Sequence, residues 1–224
     1  MLDARAAVRL GGISGILFVV LVIPSFLSPP DSPVATSGSQ DVIDYFTDRQ
    51  DSILTLNGLL LVFAAFFFLW FLGALHGVLQ GAEGERYGFS SISLAGGVLF
   101  IALILAGAAV EIVYPATLAR FENFQQDAQL GFLSLALSGW MYRFAFVGMA
   151  ALITATSVVV LRTGVLHRWL GWAGLLVALV ALLRFLGPLG AWLALLWVIA
   201  VSVLMITGGV GSTGGPHTRT VRTS

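Results

Sequence analysis

Two charged residues interrupt apolar runs where chemistry is hardest to explain away. Glu111 lies in AGAAVEIVYP (106–115) and Arg143 in SGWMYRFAFVG (138–148). An acid and a base placed inside greasy segments either neutralise one another or serve a passing solute, because intramembrane charge is costly unless it is paired or used. Counted along helices at 1.5 Å per residue, Glu111 lies about 28–30 Å from the start of its run and Arg143 about 28 Å from Arg162. The two therefore sit at matching depth on consecutive antiparallel helices. The simplest expectation is that they pair across the bundle. Two readings of the pair stand: a structural ion pair that fixes helix register, or an outward-facing solute site with Arg143 as binder and Glu111 as titrating group.

Neighbouring polar residues are weighed on the same terms. Asn57 lies about two turns into its run; a helix–helix hydrogen bond is its first reading, and an extension of the cluster the alternative. Gly97, Ile104, Gly107, Ala108 and Glu111 share one helical face, and Gly139, Arg143, Ala150, Thr154 and Ser157 share another. Small and hydroxyl residues let helices approach and hydrogen-bond. Thr154 and Ser157 are thus possible polar neighbours of the pair. Gly73, Gly77 and Gly81 form a continuous small-xxx-small series for close helix packing, with a partner inside this chain or in another copy.

Other constellations are weaker. His76 and His167 both fall near one membrane face, a solvated setting rather than the buried pair that haem or metal wants. Asp41, Asp44, Asp48 and Asp51 in QDVIDYFTDRQDSIL (40–54) share a face of an expected amphipathic lead-in helix, with Val42, Tyr45, Phe46 and Ile53 towards the membrane; the calcium-loop pattern is missing. FENFQQDAQLGF (121–132) reads as a short interfacial helix. The chain has no nucleotide-binding glycine loop, no HExxH, no GxSxG and no Ser/His/Asp set at one depth. It has no cysteine, and all 11 of its Lys+Arg residues are arginine, which removes thiol, disulfide, iron–sulfur and lysine chemistry. Neither cofactor nor metal is expected, nor is enzymatic activity.

The elements that must hold these residues are transmembrane helices. Of 224 residues, 58% are hydrophobic and 10% charged, with net charge +0 and mean hydropathy +0.97. Soluble domains run at about 25% charged, and a neutral chain offers no field for nucleic acid. Apolar runs at about 9–27, 53–80, 91–114, 132–161, 166–185 and 188–207 predict an all-α, polytopic bundle of six spans as one domain, residues 1–207. The first run is read as a retained span despite a distant cleavage-like Ala35-Thr36-Ser37. Residues 184–190 form the turn of a tight hairpin, and 208–224 a disordered cytoplasmic tail. Arg5, Arg9, Arg86, Arg162, Arg168, Arg219 and Arg222 fall on one side, which places both termini in the cytoplasm by the positive-inside rule.

The stretches FLWFLGALHGVLQGAEG (68–84), SLAGGVLF (93–100) and LRTGVLHRWLGWAGLLVA (161–178) resemble a group of small uncharacterised bacterial, especially actinobacterial, membrane proteins carrying domain-of-unknown-function labels. The clearest element is R-T-G-x-L-x-R-W-L-G-W at Arg162 to Trp172. His167 stands where the group pattern has proline, and His76 where it has arginine. The resemblance implies a multi-pass protein of the bacterial plasma (inner) membrane and carries no activity. The expected role is a non-catalytic interaction or accessory protein whose partners are the lipid bilayer and a membrane protein or a second copy. The alternative is a permease or channel for a small solute, lined by Glu111 and Arg143.

Overall fold

The computed structural model describes residues 4–27, 33, 37–84, 88–121, 123, 125–183 and 189–208. The cleavage-like Ala35-Thr36, most of the 184–190 turn, the tail, Arg86 and Glu122 lie outside the described residues. Helices account for nearly all of the rest: α1 Ala4–Leu27, α2 Ser39–Asp48, α3 Gln50–Glu83, α4 Phe89–Arg120, α5 Ala128–Thr163, α6 Arg168–Leu182 and α7 Leu189–Thr207. Five of them, α1, α3, α4, α5 and α7, are long and apolar enough to cross a membrane; α6 is apolar but shorter, at 15 residues.

Glycines show how these helices run against one another. A side-chain carbon on Gly11 would meet Ala74, one on Gly97 would meet Leu72, and one on Gly171 would meet Leu161. Gly96 and Gly148 do the same reciprocally: the missing Cβ of each would lie 2.7 and 2.6 Å from the other's carbonyl oxygen. Gly12 and Gly15 press on Ser202. Each pairing is antiparallel, and together they close the ring α1–α3–α4–α5–α6–α7, with α7 back against α1. Between lipid tails apolar burial alone gives helices little reason to associate, so this close backbone approach supplies much of the packing energy.

The interior is filled by large side chains. Phe18 of α1, Phe68 of α3, Phe100 of α4 and Phe146 of α5 form a ladder of ring contacts at 4.6, 5.5 and 6.1 Å between centroids. The outside is apolar too: Val20, Phe66, Trp70, Val113, Leu133, Phe144, Leu176 and Leu196 are all exposed. Such an exterior suits a lipid environment.

Three helices overrun their expected ends. The apolar runs at 53–80, 91–114 and 132–161 become helices of 34, 32 and 36 residues. Hydropathy ends where lipid ends, whereas backbone hydrogen bonding continues as long as the outer turns have something to pack on. Here they pack on α2, whose Val42 and Phe46 are fully buried against Tyr114, Leu118, Phe132 and Leu135. The apolar side of α2 therefore faces protein rather than membrane. Of the expected interfacial helix at 121–132, the described residues 121, 123 and 125–127 are not helical, and Asp127 caps α5, which takes up the rest, by accepting from the Gln129 N–H at 2.8 Å. Ser37 and Gly38 lead directly into α2.

Candidate functional site

Two irregularities in the backbone coincide. In α3 the helical ladder widens to a π turn over Leu56–Leu60, with the Leu61 N–H bonded to the Leu56 carbonyl. In α4, Pro115 supplies no N–H for the carbonyl of Glu111, four residues earlier. Such turns are enriched where a helix must present something other than its own regular face. Asn57 lies in the π turn and Glu111 one turn before the proline.

Glu111 is the centre of the cluster. The Tyr142 hydroxyl of α5 donates to its Oε2 at 2.8 Å, and the Asn57 side chain hydrogen-bonds the same carboxylate. Gly107 makes room for this: a Cβ there would lie 2.7 Å from the Tyr142 ring. Beside it the Ser134 hydroxyl donates to the Val110 carbonyl at 2.6 Å, tying α5 to α4. Above the site sits α2. Its Tyr45 is close enough to Tyr142 to interact electrostatically, and the Arg49 guanidinium lies 5.5 Å over the Tyr45 ring. The Gln50 amide donates to the Pro115 carbonyl at 3.3 Å, and the Asp127 N–H donates to the Tyr114 hydroxyl at 3.1 Å. The carboxylate is thus held by neutral donors under a roof of aromatic side chains.

Arg143 does not pair with Glu111. It is exposed, with its guanidinium 4.9 Å over the ring of Trp140, itself 53% exposed. Consecutive helical residues point about 100° apart, so turning Tyr142 inward turns Arg143 outward. There its guanidinium stacks on an exposed aromatic ring, an arrangement that suits a snorkelling arginine. Thr154 is likewise exposed. The buried threonine is Thr156, hydrogen-bonded to Ser93 at 2.9 Å. Ser157 is buried but lies fifteen residues along α5 from Tyr142, about 22 Å away, where its hydroxyl has no partner and presses on Gly174. Of the expected neighbours, only Asn57 joins Glu111.

Gly73, Gly77 and Gly81 are exposed, and nothing lies within 4 Å of the Cβ position of any of them. His76 is partly buried, its Nδ1 3.1 Å from the Ser90 carbonyl, so it is held by protein rather than solvent; His167 is exposed at the start of α6. Among the described residues no group of three or more His, Cys, Asp or Glu side chains could hold a metal ion. Asp41 accepts from the Gly38 N–H at 2.7 Å and Asp44 from the Gln40 amide at 2.8 Å; Asp48 and Asp51 are exposed.

Two contributors escape sequence reasoning. Tyr142 stands beside the more conspicuous Arg143, but it continues the series Gly131, Ser134, Ser138 at helical spacing, which marks the true inward face of α5. Glu83 reads as a loop charge yet is 8% exposed, and its two oxygens accept from the Phe89 and Ser90 N–H groups at 2.8 and 2.9 Å. Compared with known proteins, the chain matches no family model, no curated protein and no solved structure.

Proposed function

We propose that this chain is a non-catalytic, multi-pass protein of a bacterial plasma membrane that works by holding another transmembrane helix, from a partner subunit or a second copy. One observation carries the reading. Gly11, Gly12, Gly15, Gly96, Gly97, Gly148, Gly171 and Gly174 are each filled by a neighbouring helix, whereas Gly73, Gly77 and Gly81 on α3 meet nothing. Their face continues through exposed Trp70 and Phe66, which sets a groove beside a ridge, the shape that close helix pairs require. Six spans with both termini in the cytoplasm, and kinship with the bacterial group named above, belong to the same proposal.

The absence of cysteine makes the test clean. Gly77→Cys is oxidised in native membranes and run on a non-reducing gel. A doubled mass identifies a second copy, and an adduct of another mass a partner subunit. Monomer alone at positions 73, 77 and 81 removes the reading.

The Glu111 cluster favours a second reading, a small-solute site that keeps Glu111 and Asn57, gains Tyr142 and loses Arg143. Its test is Glu111-dependent solute flux in proteoliposomes.

A further inference from the structure

We infer that Glu111, Asn57 and Tyr142 form a site for a monovalent cation, proton or sodium ion, filled from the aqueous face on which α2 lies. The inference rests on the solute-site reading and names its ligand class.

The argument begins with charge. A carboxylate withdrawn from water needs a counter-charge or a proton. Among the described residues, the groups facing Glu111 supply no cation. From α3 comes Asn57, a neutral amide. From α5 comes the Tyr142 hydroxyl, while Arg143 turns away onto Trp140. From α2 comes Tyr45, next to Tyr142, with Arg49 spread over the Tyr45 ring rather than on the carboxylate. On α4 itself the basic residue is Arg120, in the last turn and nine residues on, about 13 Å along the axis. Neutral donors orient a carboxyl group but leave its charge uncompensated.

The oxygen inventory says what completes it. The Glu111 carboxylate and the Tyr142 hydroxyl meet from α4 and α5, and Asn57 of α3, whose amide N–H donates to the carboxylate, carries its oxygen on the same amide group. The Glu111 main-chain carbonyl lacks the N–H that Pro115 would otherwise donate. Hard cations take oxygen ligands of these kinds, and irregular helix turns in membrane proteins supply carbonyls to such ions. With a proton instead, the same carboxyl accepts from Tyr142 on one oxygen and carries hydrogen on the other.

Access follows from the fold. Asp41, Asp44, Asp48 and Asp51 are exposed along α2 and the start of α3, and they draw cations to this face by simple attraction. Tyr45 of α2 lies beside Tyr142 on this side, and Glu111, Asn57 and Tyr142 are each only partly buried, which leaves the carboxylate within reach of this face.

The test uses the full chain in lipid nanodiscs, with sodium exchanged for choline at constant ionic strength and pH varied. A hydrophobic carbodiimide adds across a protonated carboxyl to leave an N-acylurea, read by mass spectrometry. We expect Glu111 to be labelled at low pH in the wild type. Labelling that falls when sodium is added, with a melting temperature that rises by several degrees in sodium for the wild type and not for Glu111→Gln, assigns sodium. Labelling indifferent to sodium, with a wild-type-minus-variant melting difference that titrates with pH, assigns the proton. Absence of labelling at every pH, or identical responses in wild type and Glu111→Gln, overturns the inference. Labelling needs no variant, so a Glu111→Gln chain that fails to fold leaves the result readable. Absence of flux through the wild type in proteoliposomes, with labelling intact, would remove the solute-passage reading and leave the cation site standing.

Discussion

At the scale of single residues, hydrogen bonds at the two ends of the bundle differ in what they are worth. Glu83 closes the α3–α4 hairpin by accepting two N–H groups from the first turn of α4, where the helix would otherwise leave them unsatisfied. Glu83→Ala strips both acceptors, and we expect a loss of about 2 kcal/mol, seen as a lower melting temperature in detergent. Glu83→Gln keeps one carbonyl oxygen and should lose less. Equal losses for the two variants would mean that the side chain acts by packing alone. Serines give a sharper contrast. Ser93 is bonded to Thr156 and buried, whereas Ser202 is as buried but its hydroxyl has no partner. A hydroxyl pair between membrane helices is worth ~0.6 kcal/mol, so a Ser93→Ala/Thr156→Val double-mutant cycle should return a coupling of that order. Ser202→Ala removes an unsatisfied polar group and should leave stability unchanged or raise it. A destabilised Ser202→Ala would show that its hydroxyl is bonded after all. None of this is legible in the sequence, where a hydropathy profile does not tell Ser93 from Ser202 or mark Glu83 as buried.

Helices are legible to a different degree. Their existence follows from apolar runs, because no other signal produces 20 such residues in a row. Their ends do not, because α3, α4 and α5 continue onto α2 by contacts between distant segments. Facing is hardest of all. On α5 the stripe through Arg143 and Thr154 looks as good as the stripe through Ser134 and Tyr142, since a helix buried over most of its circumference has small residues on several sides. The deciding contact is Gly96 against Gly148, which sets the rotation of α5 on α4 and so turns Tyr142 towards Glu111. Gly148→Ala drives a methyl group into the Gly96 carbonyl and should cost ~1–3 kcal/mol. Gly77→Ala meets no atom within the chain and gains up to about 1 kcal/mol of helix propensity, so the monomer should be unharmed or firmer. Thermal denaturation of the two variants in detergent compares them directly. A Gly77→Ala variant as damaged as Gly148→Ala would show that the α3 face is already occupied within the chain.

For the whole molecule, the proposed orientation rests on where the arginines fall in the fold. Closure of α7 onto α1 through Gly12, Gly15 and Ser202 brings the first and last helices to one end of the bundle. Arg5, Arg9, Arg162 and Arg168 gather at that end, while α2 with its aspartates covers the other. On the proposed orientation, with the arginine-rich end in the cytoplasm, the Glu111 cluster lies on the outer side, from which the inferred cation would come. This orientation has a direct measurement. In the cysteine-free chain, Asp44→Cys on α2 and His167→Cys before α6 each introduce one exposed thiol. An impermeant maleimide added to intact cells should label position 44, and position 167 only after the membrane is opened. Both substitutions lie on exposed side chains, so neither should disturb packing. The reverse pattern would invert the molecule and make the cation at Glu111 a cytoplasmic one. Labelling of both positions from outside would mean that an even number of spans separates α2 from the α5–α6 turn, rather than the three of α3, α4 and α5, and that one of these does not cross.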